Sequence, residues 1–381
     1  MTLSLRFRKL RHIDPVLSLS ALGLLGLGTV MVYSSSSLVA ADRFGDNLYY
    51  LKHQLMYAIL GLAVMGTLFF INIRGLRKLA LPALGLVALA LAVTALTSAG
   101  VSVKSATRWL TIGGITVQPS EFAKPLIVLY IASYLSKRGE GIRDFRKGLL
   151  PLLLTLGILL LLILKQPDFG TCVVIAVTAF LMLFMGRARL WHLAALALGG
   201  LTSGYCLILG AAYRRRRLLA FMDPWKDPAG SGFQIIQSFV AFHRGGIVGA
   251  GLGDGIQKLQ YLPEAHTDFI FSVIAEELGV WGSIGVIVLF LFLVVRGLQL
   301  ALRIREPFAS ELAYGLTVMI GVQALMNIAV VMGLIPTKGL TLPLVSYGGS
   351  SLVATMAAVG ILLSLASTVS LSSKMARKVE A

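Results

Sequence analysis

A short segment, residues 261–271, contains the side chains best suited to acid–base chemistry. Glu264, His266 and Asp268 alternate in it, immediately before a long apolar run. Partial burial of a carboxylate at a membrane surface raises its pKa from about 3.9 towards the range of a general base. Asp268 is therefore a candidate catalytic base, with Glu264 and His266 placed to tune it or to bind substrate. A second interpretation is that Thr267 or Asp268 only caps the following helix.

A second polar segment, residues 117–125, contains a carboxylate and a lysine at helical spacing. Glu121 and Lys124 are three residues apart, so they share one face of a helix and lie about 4.5 Å apart along its axis. They form either a local ion pair that lets a short apolar helix tolerate its lysine, or a cationic group ready for an anionic head group. Arg108 and Trp109 precede them in the same connection, where Trp109 also fits an ordinary interfacial aromatic.

Four consecutive arginines, Arg214–Arg217, lie in a long connection at residues 211–267. Successive residues of a helix point about 100° apart, so the four guanidinium groups cannot all face one ligand. They either meet lipid phosphates or supply one or two contacts to a substrate pyrophosphate, with Arg216 and Arg217 as the candidates.

The same connection contains two further patterns. Apolar residues recur at helical spacing over 233–243, which predicts an amphipathic helix on the membrane. The glycine-rich run at 245–253 is a weak signal for a phosphate cradle, because no strand precedes it.

A proline-rich connection at 336–343 contains Lys338 and is followed by a small-residue segment that begins at Ser346. Two prolines and a diglycine predict a bent, re-entrant backbone, which a membrane protein tolerates only against protein or a polar cavity. The alternative is a plain turn followed by helix packing through small residues. Lys338 and Ser346 are candidate substrate-binding residues.

Two further carboxylates, Glu276 and Glu277, follow Asp268 within the same apolar run. Asp268, Ser272 and Glu276 recur every four residues and form one polar stripe, with Glu276 about 12 Å along the axis from Asp268. Carboxylates at that depth are either functional or paired with a polar group of another span.

The composition indicates where these segments lie. Of 381 residues, 57 % are hydrophobic and 13 % are charged, against about 45–50 % and roughly 25 % in soluble proteins. A disordered chain is excluded and a soluble enzyme is disfavoured, so a polytopic membrane protein is expected. The net charge of +17 does not indicate a nucleic-acid partner, because membrane proteins concentrate Lys and Arg in cytoplasmic loops.

Ten apolar stretches predict an all-α protein of ten transmembrane helices with a long outer loop, 211–267, between the seventh and eighth. The predicted spans are 15–41, 55–72, 79–103, 125–136, 148–164, 169–186, 190–213, 269–295, 312–337 and 339–373. We expect residues 1–381 to form a single domain without internal repeats. Cys172 and Cys206 fall in apolar runs and are expected to be buried thiols.

The basic residues predict the orientation. With the N-terminus inside, 20 Lys and Arg residues fall in inner segments and six in the short outer loops, which is the expected asymmetry. Both termini are then cytoplasmic, and the polar segments described above converge on the outer mouth. That arrangement predicts an outward-facing site for an anionic, membrane-borne substrate.

The same segments resemble the SEDS family (shape, elongation, division and sporulation) of bacterial peptidoglycan polymerases. The resemblance extends over about residues 13–370, and its specific parts are 118–124, 261–271 and 333–351. Residues 224–228 and 336–343 resemble the division branch of the family more than its elongation branch.

The resemblance implies an inverting glycosyltransferase that polymerises lipid II at the outer face of the cytoplasmic (inner) membrane. Asp268 matches the family's essential aspartate and would deprotonate the acceptor hydroxyl, while Arg108, Lys124 or Lys338 would stabilise the departing pyrophosphate. The resemblance also implies a class B penicillin-binding protein as the transpeptidase partner, with other division proteins. No cofactor is evident and no metal-ligand cluster is visible in the sequence, although a divalent cation (Mg or Mn) is compatible with the chemistry. The alternatives are a lipid II flippase, an elongation-type polymerase and a non-catalytic scaffold.

Overall fold

The computed structural model describes residues 9–10, 12–97, 100–103, 106–113, 115–258 and 262–380. Five residues used in the sequence arguments lie outside them: Arg6, Arg8, Arg11 and Lys104, which were counted for the orientation, and Tyr261 of the segment 261–271. In these ranges the helices are α1 (Pro15–Phe44), α2 (Tyr49–Phe69), α3 (Ile73–Leu96), α4 (Pro119–Arg138), α5 (Leu150–Lys165), α6 (Phe169–Met185), α7 (Leu190–Leu209), α8 (Ala212–Met222), α9 (Phe233–Gly245), α10 (Ile270–Arg303), α11 (Pro307–Val331) and α12 (Gly349–Glu380).

Each predicted span overlaps one helix except the seventh, 190–213, which is too long because α7 ends at Leu209 and α8 begins at Ala212. Helix α9 confirms the predicted helix at 233–243. Eight described helices are long and apolar enough to cross a membrane. Helix α6 is a shorter apolar helix, and α4 contains the Glu121–Lys124 pair. The chain is thus an integral membrane protein with several helical spans.

The third predicted span is wrong at its end, because α3 stops at Leu96 and a small antiparallel sheet follows. Its strands are β1 (Gly100–Val103), β2 (Ala106–Ile112) and β3 (Ile115–Val117), paired in chain order. The registers place Gly100 opposite Leu110 and Leu110 opposite Val117. The sheet forms because β-branched residues are frequent from 101 to 117 and favour extended backbone.

The last two spans also differ from the prediction. Helix α11 ends at Val331 and α12 begins at Gly349, so an irregular segment separates them, as its two prolines and diglycine indicated. Leu340, Leu342 and Val345 of this segment are buried, so the backbone is held against protein, as the re-entrant interpretation requires.

Helices α11 and α12 form the centre of the bundle. Helix α12 packs along α2, and α11 packs against α4 and α10. Gly360 permits a close approach, since a Cβ there would collide with the backbone of Met65, in the manner of small-residue packing between membrane helices. Helix α7 contributes little to the core, and Cys206 on it is exposed, so the expected burial is wrong for this thiol and right for Cys172.

Helix α10 is two helices joined at Gly279, whose φ of 67° and ψ of −159° are not helical. Only glycine adopts such a conformation readily. The glycine-rich run packs on this break: the N–H groups of Ala250 and Gly251 donate to the carbonyls of Glu276 and Glu277, at 2.9 and 3.0 Å. The run is therefore occupied in closing a helix end, which argues against its interpretation as a phosphate cradle.

Candidate functional site

Asp268 lies in a tight turn at residues 262–269 that leads into α10. Glu264 in this turn has a φ of 61°, a left-handed conformation that costs a non-glycine residue roughly 1–3 kcal/mol. Its carbonyl accepts the N–H groups of Thr267 and Phe269, and its carboxylate accepts the Thr267 hydroxyl at 2.9 Å. Glu264 thus shapes the turn that presents Asp268, which is half-buried.

The irregular segment after α11 holds this turn in place. The Ser346 hydroxyl donates to the carbonyl of Thr267 at 2.6 Å, and the Tyr347 N–H donates to the carbonyl of His266 at 2.9 Å. The Ser346 oxygen also accepts the N–H of Leu342. Ser346, predicted as a substrate-binding residue, is only 4 % exposed and acts in this structure as a backbone clamp.

His266 lies between two tyrosines. Its ring centroid is 4.6 Å from that of Tyr50 on α2 and 5.7 Å from that of Tyr347. The Tyr347 hydroxyl is protonated at neutral pH, as in any tyrosine, and burial raises its pKa further. This aromatic wall beside Asp268 was not predicted, because Tyr50 lies more than 200 positions away in the sequence.

Two residues of the adjoining elements contact Asp268 itself. A Cβ added at Gly339 would lie 3.2 Å from a carboxylate oxygen of Asp268. Asn327 on α11 donates from Nδ2 to the Asp268 carbonyl at 2.9 Å and also to the Leu340 carbonyl. The backbone of Asp268 is therefore fixed by a buried amide, and its carboxylate faces a position without a side chain.

Lys124 is buried in a polar network inside the bundle. Its Nζ lies 2.8 Å from a carboxylate oxygen of Glu121 and donates to Gln323 at 2.6 Å. Gln323 in turn donates to the carbonyl of Thr341 at 3.0 Å. Gln323 and Asn327 are four residues apart on α11, so one helix face connects Lys124 to Asp268. The predicted Glu121–Lys124 ion pair is present.

Asp168, which sequence reasoning missed, organises the start of α4. Its carboxylate accepts the Ser120 hydroxyl at 3.1 Å and lies 3.4 Å from the Gln118 amide nitrogen. It also caps α6 through Thr171. In the sequence, an aspartate directly before an apolar run indicates only a helix cap. Its neighbours, such as Lys165, do not indicate that it binds Ser120 and Gln118.

Arg108 and Trp109 lie on strand β2. Arg108 donates to the carbonyl of Gln166 at 3.0 Å and to that of Pro167, so it fixes the turn that presents Asp168. Trp109 pairs with Val101 in the sheet and is half-buried.

A cluster of cations surrounds Phe169 at the start of α6. Lys338 Nζ lies 4.9 Å from the ring centroid, and the Arg214 guanidinium lies 5.6 Å from it. Burial lowers the pKa of Lys338 below its ordinary value. Arg217 donates to the Thr337 carbonyl at 3.4 Å, which places it beside Lys338. We call Arg214, Arg217 and Lys338 the cation cluster.

Arg216 is oriented differently from this cluster. Asp227 has a lowered pKa, mainly because the N–H of Ser231 donates to it, and Arg216 contributes through its charge. Arg216 thus lies towards Asp227, while Arg214, which was not selected from sequence, takes the place beside Phe169.

The carboxylates Glu276 and Glu277 are fully buried against the long connection. Glu276 accepts the N–H groups of Ile256 and Gln257, at 2.9 and 3.2 Å. Glu277 accepts Lys258 Nζ at 2.7 Å and the Ser34 hydroxyl at 2.7 Å. Both precede the break at Gly279, and the 24 residues from there to the end of α10 suffice to span about 30 Å of hydrocarbon. The pairing of Glu276 and Glu277 with other protein groups therefore explains why these carboxylates are tolerated at this position.

Most predicted residues meet at one end of the bundle, with Asp268, Ser346 and the cation cluster around the irregular segment and the Lys124 network beneath it. Within the described ranges, no group of three or more His, Cys, Asp and Glu residues is placed to hold a metal ion. These features define a polytopic membrane protein with a polar site, lined by one half-buried carboxylate and several cations, at one end of its bundle.

The chain belongs to the FtsW/RodA/SpoVE family, described as cell cycle proteins, whose model matches residues 16–371. This confirms the family predicted from sequence. Curated relatives named "Probable peptidoglycan glycosyltransferase FtsW" include one from Geobacter sulfurreducens, 44 % identical over 96 % of this chain and 98 % of the relative. Another, from Nitrosococcus halophilus, is 46 % identical over 90 % of this chain and 89 % of the relative.

Solved structures show the same fold. A chain from a peptidoglycan synthase complex, described as coordinating polymerization and crosslinking, is 32 % identical with a TM-score of 0.75, covering 94 % of this chain and 98 % of that one. The rod shape determining protein RodA of Thermus thermophilus is 28 % identical with a TM-score of 0.69, covering 93 % of this chain and 96 % of that one.

Proposed function

We propose that this protein is a division-associated peptidoglycan glycosyltransferase that polymerises lipid II, with Asp268 as its general base. The observation that carries the assignment to Asp268 is its setting. The carboxylate is half-buried and packs closely against Gly339, and the backbone that presents it is fixed by Asn327 at Asp268 and by Ser346 at Thr267. The sequence relatives, whose names state this activity, support the reaction.

The reaction is a displacement at the anomeric carbon of a lipid-linked sugar. Asp268 takes the proton of the acceptor's 4-hydroxyl, and that oxygen forms a bond to the anomeric carbon. The bond from this carbon to the pyrophosphate oxygen breaks, its electron pair leaves with undecaprenyl pyrophosphate, and the configuration inverts from α to β.

The leaving group gains negative charge and requires cations. The cation cluster supplies them, since Lys338 is adjacent in sequence to Gly339, and Arg214 and Arg217 approach it from α8. Arg108 and Lys124 act indirectly, by positioning other residues. Arg108 holds the turn that presents Asp168, and Lys124 holds Glu121 and Gln323. His266 and Tyr347 offer an aromatic wall for a sugar ring.

The topology that suits this chemistry has ten spans, α1–α7 and α10–α12, with both termini in the cytoplasm. Residues 211–267 then form the large extracytoplasmic loop, and the site opens at the outer face of the inner membrane. The excess of Lys and Arg in the segments assigned to the inside supports this orientation.

The implied partners are a class B penicillin-binding protein, which would crosslink the glycan, and other division proteins. The similarity to a chain of a synthase complex supports the first of these. A divalent cation (Mg or Mn) remains compatible with the chemistry, and no step above is assigned to it.

The decisive experiment is polymerisation of lipid II by the purified chain with its class B partner, comparing wild type, Asp268→Asn and Asp223→Asn. Asp223 is an exposed carboxylate of the long connection and is the matched control. We expect glycan ladders from wild type and Asp223→Asn and none from Asp268→Asn. Equal ladders from all three proteins would show that Asp268 is not the base.

A lipid II flippase is the alternative that the same proteins can test. A transporter would move labelled lipid II across vesicles in response to a membrane potential and would not form ladders. The buried pairing of Glu276 and Glu277 with the long connection favours polymerisation, because it leaves these carboxylates without the role in a transport path that their depth suggested.

A further inference from the structure

A cavity of about 490 Å³ opens at the far end of α4 from Asp268, within the roughly 300–1,000 Å³ range of ligand pockets. It lies between the connection that follows α4 and the start of α7. Helix α4 has 20 residues, so its ends are about 30 Å apart. The cavity is therefore about one membrane thickness away from the polymerisation site and belongs to the opposite membrane surface.

Three arginines, Arg143, Arg146 and Arg189, line this cavity. Among the described residues, none of their guanidinium groups forms an ion pair with a carboxylate. Arg143 makes only a long contact to the carbonyl of Arg187, at 3.4 Å. The three groups are exposed and free to take an anion.

Two carboxylates, Glu140 and Asp144, also line the cavity. The N–H of Lys147 donates to Asp144 at 2.9 Å, and this hydrogen bond is the main reason why the pKa of Asp144 is lowered. Three guanidinium groups and two carboxylates leave one net positive charge. A ligand with one negative charge and some hydrogen-bond donors matches this lining better than a bare multivalent anion does.

The rim of the cavity is apolar at Phe145, and two further apolar residues, Leu190 and Trp191, lie in sequence between the lining residues Arg189 and His192. Phe145 is 46 % exposed, Leu190 70 % and Trp191 81 %. The Phe145 ring lies 5.5 Å from that of His192, which also lines the cavity. An exposed tryptophan at the end of a membrane helix is typical of the lipid–water interface. The rim thus continues from a polar pocket to a lipid-facing surface on α7.

We propose that this cavity binds the head group of an anionic glycerophospholipid of the phosphatidylglycerol type. The guanidinium groups hold the phosphodiester through charge-assisted hydrogen bonds. Glu140 accepts a hydroxyl of the head group, and the acyl chains lie along Leu190 and Trp191. Basic pockets between membrane helices bind lipid head groups in this way. Free phosphate shares the anionic chemistry, but it would leave the apolar rim unused.

Binding of a lipid here would affect the least anchored helix of the bundle. Only 6 % of the most apolar stretch of α7 is buried in the protein, and its first residues form part of the cavity wall. A bound lipid would tie the base of α7 to the connection after α4.

The test uses the full chain in phosphatidylcholine nanodiscs that contain brominated phosphatidylglycerol or brominated phosphatidylcholine. Bromine quenches nearby tryptophan, and the difference between wild type and Trp191→Phe reports Trp191 alone. The test variant is the triple Arg143→Gln, Arg146→Gln and Arg189→Gln. The matched control is the triple Lys78→Gln, Lys137→Gln and Arg305→Gln, which removes the same charge from exposed positions of the same face outside the cavity.

We expect brominated phosphatidylglycerol to quench Trp191 more strongly than brominated phosphatidylcholine in wild type and in the control triple. The arginine triple should lose this preference, by roughly fivefold in affinity for each arginine removed. Equal quenching by the two lipids in wild type, or equal loss in both triples, would overturn the proposal. Displacement by added inorganic phosphate would overturn the assignment to a lipid. Thermal unfolding of both triples checks that they fold.

Discussion

Asn327 donates a hydrogen bond to the backbone carbonyl of Asp268 at 2.9 Å. The same amide nitrogen also serves the Leu340 carbonyl, and the side chain is 1 % exposed. One buried amide on α11 therefore joins the turn before α10 to the irregular segment after α11. Asn327 is a positioning residue for Asp268 in the proposed reaction.

Replacing Asn327 by leucine should lower kcat with little change in KM. The variant leaves two buried carbonyls without their donor, at a cost of about 1–3 kcal/mol, and frees the Asp268 turn to move. Steady-state polymerisation of lipid II measures this. Thr317→Val is the matched control, because the Thr317 hydroxyl is buried in the same helix and donates only to its own helix, at Ala313. A kcat for Asn327→Leu equal to that of the control would contradict the positioning role.

Gly339→Ala should reduce polymerisation without unfolding the protein. The added Cβ would lie 3.2 Å from the Asp268 carboxylate, close enough to displace it by a few tenths of an ångström. A displacement of about 1 Å in a catalytic group costs about 100-fold in rate, so a shift of a few tenths of an ångström should cost roughly two- to fivefold. Gly348→Ala, in the same segment, meets its nearest atom at 3.4 Å and should retain activity. If both alanine variants polymerise at the wild-type rate, the close contact between Gly339 and the Asp268 carboxylate is not needed for activity.

The Glu121–Lys124 pair allows structural and catalytic roles to be separated. Lys124→Met leaves Glu121 buried and uncompensated, which should destabilise the protein by about 3–5 kcal/mol. The double variant Glu121→Leu, Lys124→Met removes both charges and should recover much of that loss. Thermal unfolding in detergent measures the stabilities.

Polymerisation by the same double variant tests the functional interpretation. If Lys124 only neutralises Glu121, the stable double variant should regain activity. If Lys124 also orients Gln323 and the segment around Thr341, the double variant should stay inactive although it is folded. We expect the second result, because Lys124 donates to Gln323 at 2.6 Å.

Sequence reasoning predicted the helices and the main candidate residues because both depend on local information. Apolar runs of about 20 residues specify spans, and a charge within such a run is conspicuous, as with Lys124. The partners of these residues come from elements distant in sequence. Asp168 gave only a helix-cap signal, and the amides Gln323 and Asn327 show their function only when α11 packs between α4 and the Asp268 turn.

Two features of the backbone were out of reach for a related reason. The break at Gly279 depends on a loop about 30 residues earlier that packs against it, so the run read as one continuous helix. The sheet at 100–117 was not predicted, because its first strand continues the apolar run of α3 and was therefore assigned to the third span. Arg216 was the predicted contact, but Arg214 lies beside Phe169. Which arginine of α8 faces the site depends on the rotation of this helix about its axis, and a run of four arginines gives no information on that rotation.

The pH dependence of polymerisation should report Lys338. Burial lowers its pKa below the ordinary value of 10.5, so Lys338 loses its charge, and the leaving group loses a stabilising cation, at a lower pH than an exposed lysine would. Activity should therefore decline on the alkaline side as Lys338 deprotonates. Lys338→Arg keeps its charge at all accessible pH values and should move this decline to higher pH.

Lys165→Arg, at an exposed position before α6, is the control and should leave the pH profile of wild type unchanged. The measurement is kcat/KM for lipid II across the alkaline range. If the alkaline decline in activity is identical in wild type and Lys338→Arg, deprotonation of Lys338 is not its cause.

The buried pair between Lys258 and Glu277 should hold the long connection against α10. Their charged atoms are 2.7 Å apart, both side chains are at most 5 % exposed, and Ser34 of α1 donates to the same carboxylate. Lys258→Met would leave Glu277 buried without its counter-charge and should release the connection, because a broken buried pair costs about 3–5 kcal/mol. Hydrogen exchange of residues 249–258 should then become faster, and polymerisation should fall because the turn bearing Asp268 follows directly. The double variant Lys258→Met, Glu277→Leu should recover slow exchange.

Lys226→Met, which breaks an exposed pair in the same connection, should leave exchange unchanged, since surface pairs contribute about 0–1 kcal/mol. Unchanged exchange in Lys258→Met would mean that the glycine-mediated contacts with Glu276 and Gly279 suffice to hold the loop.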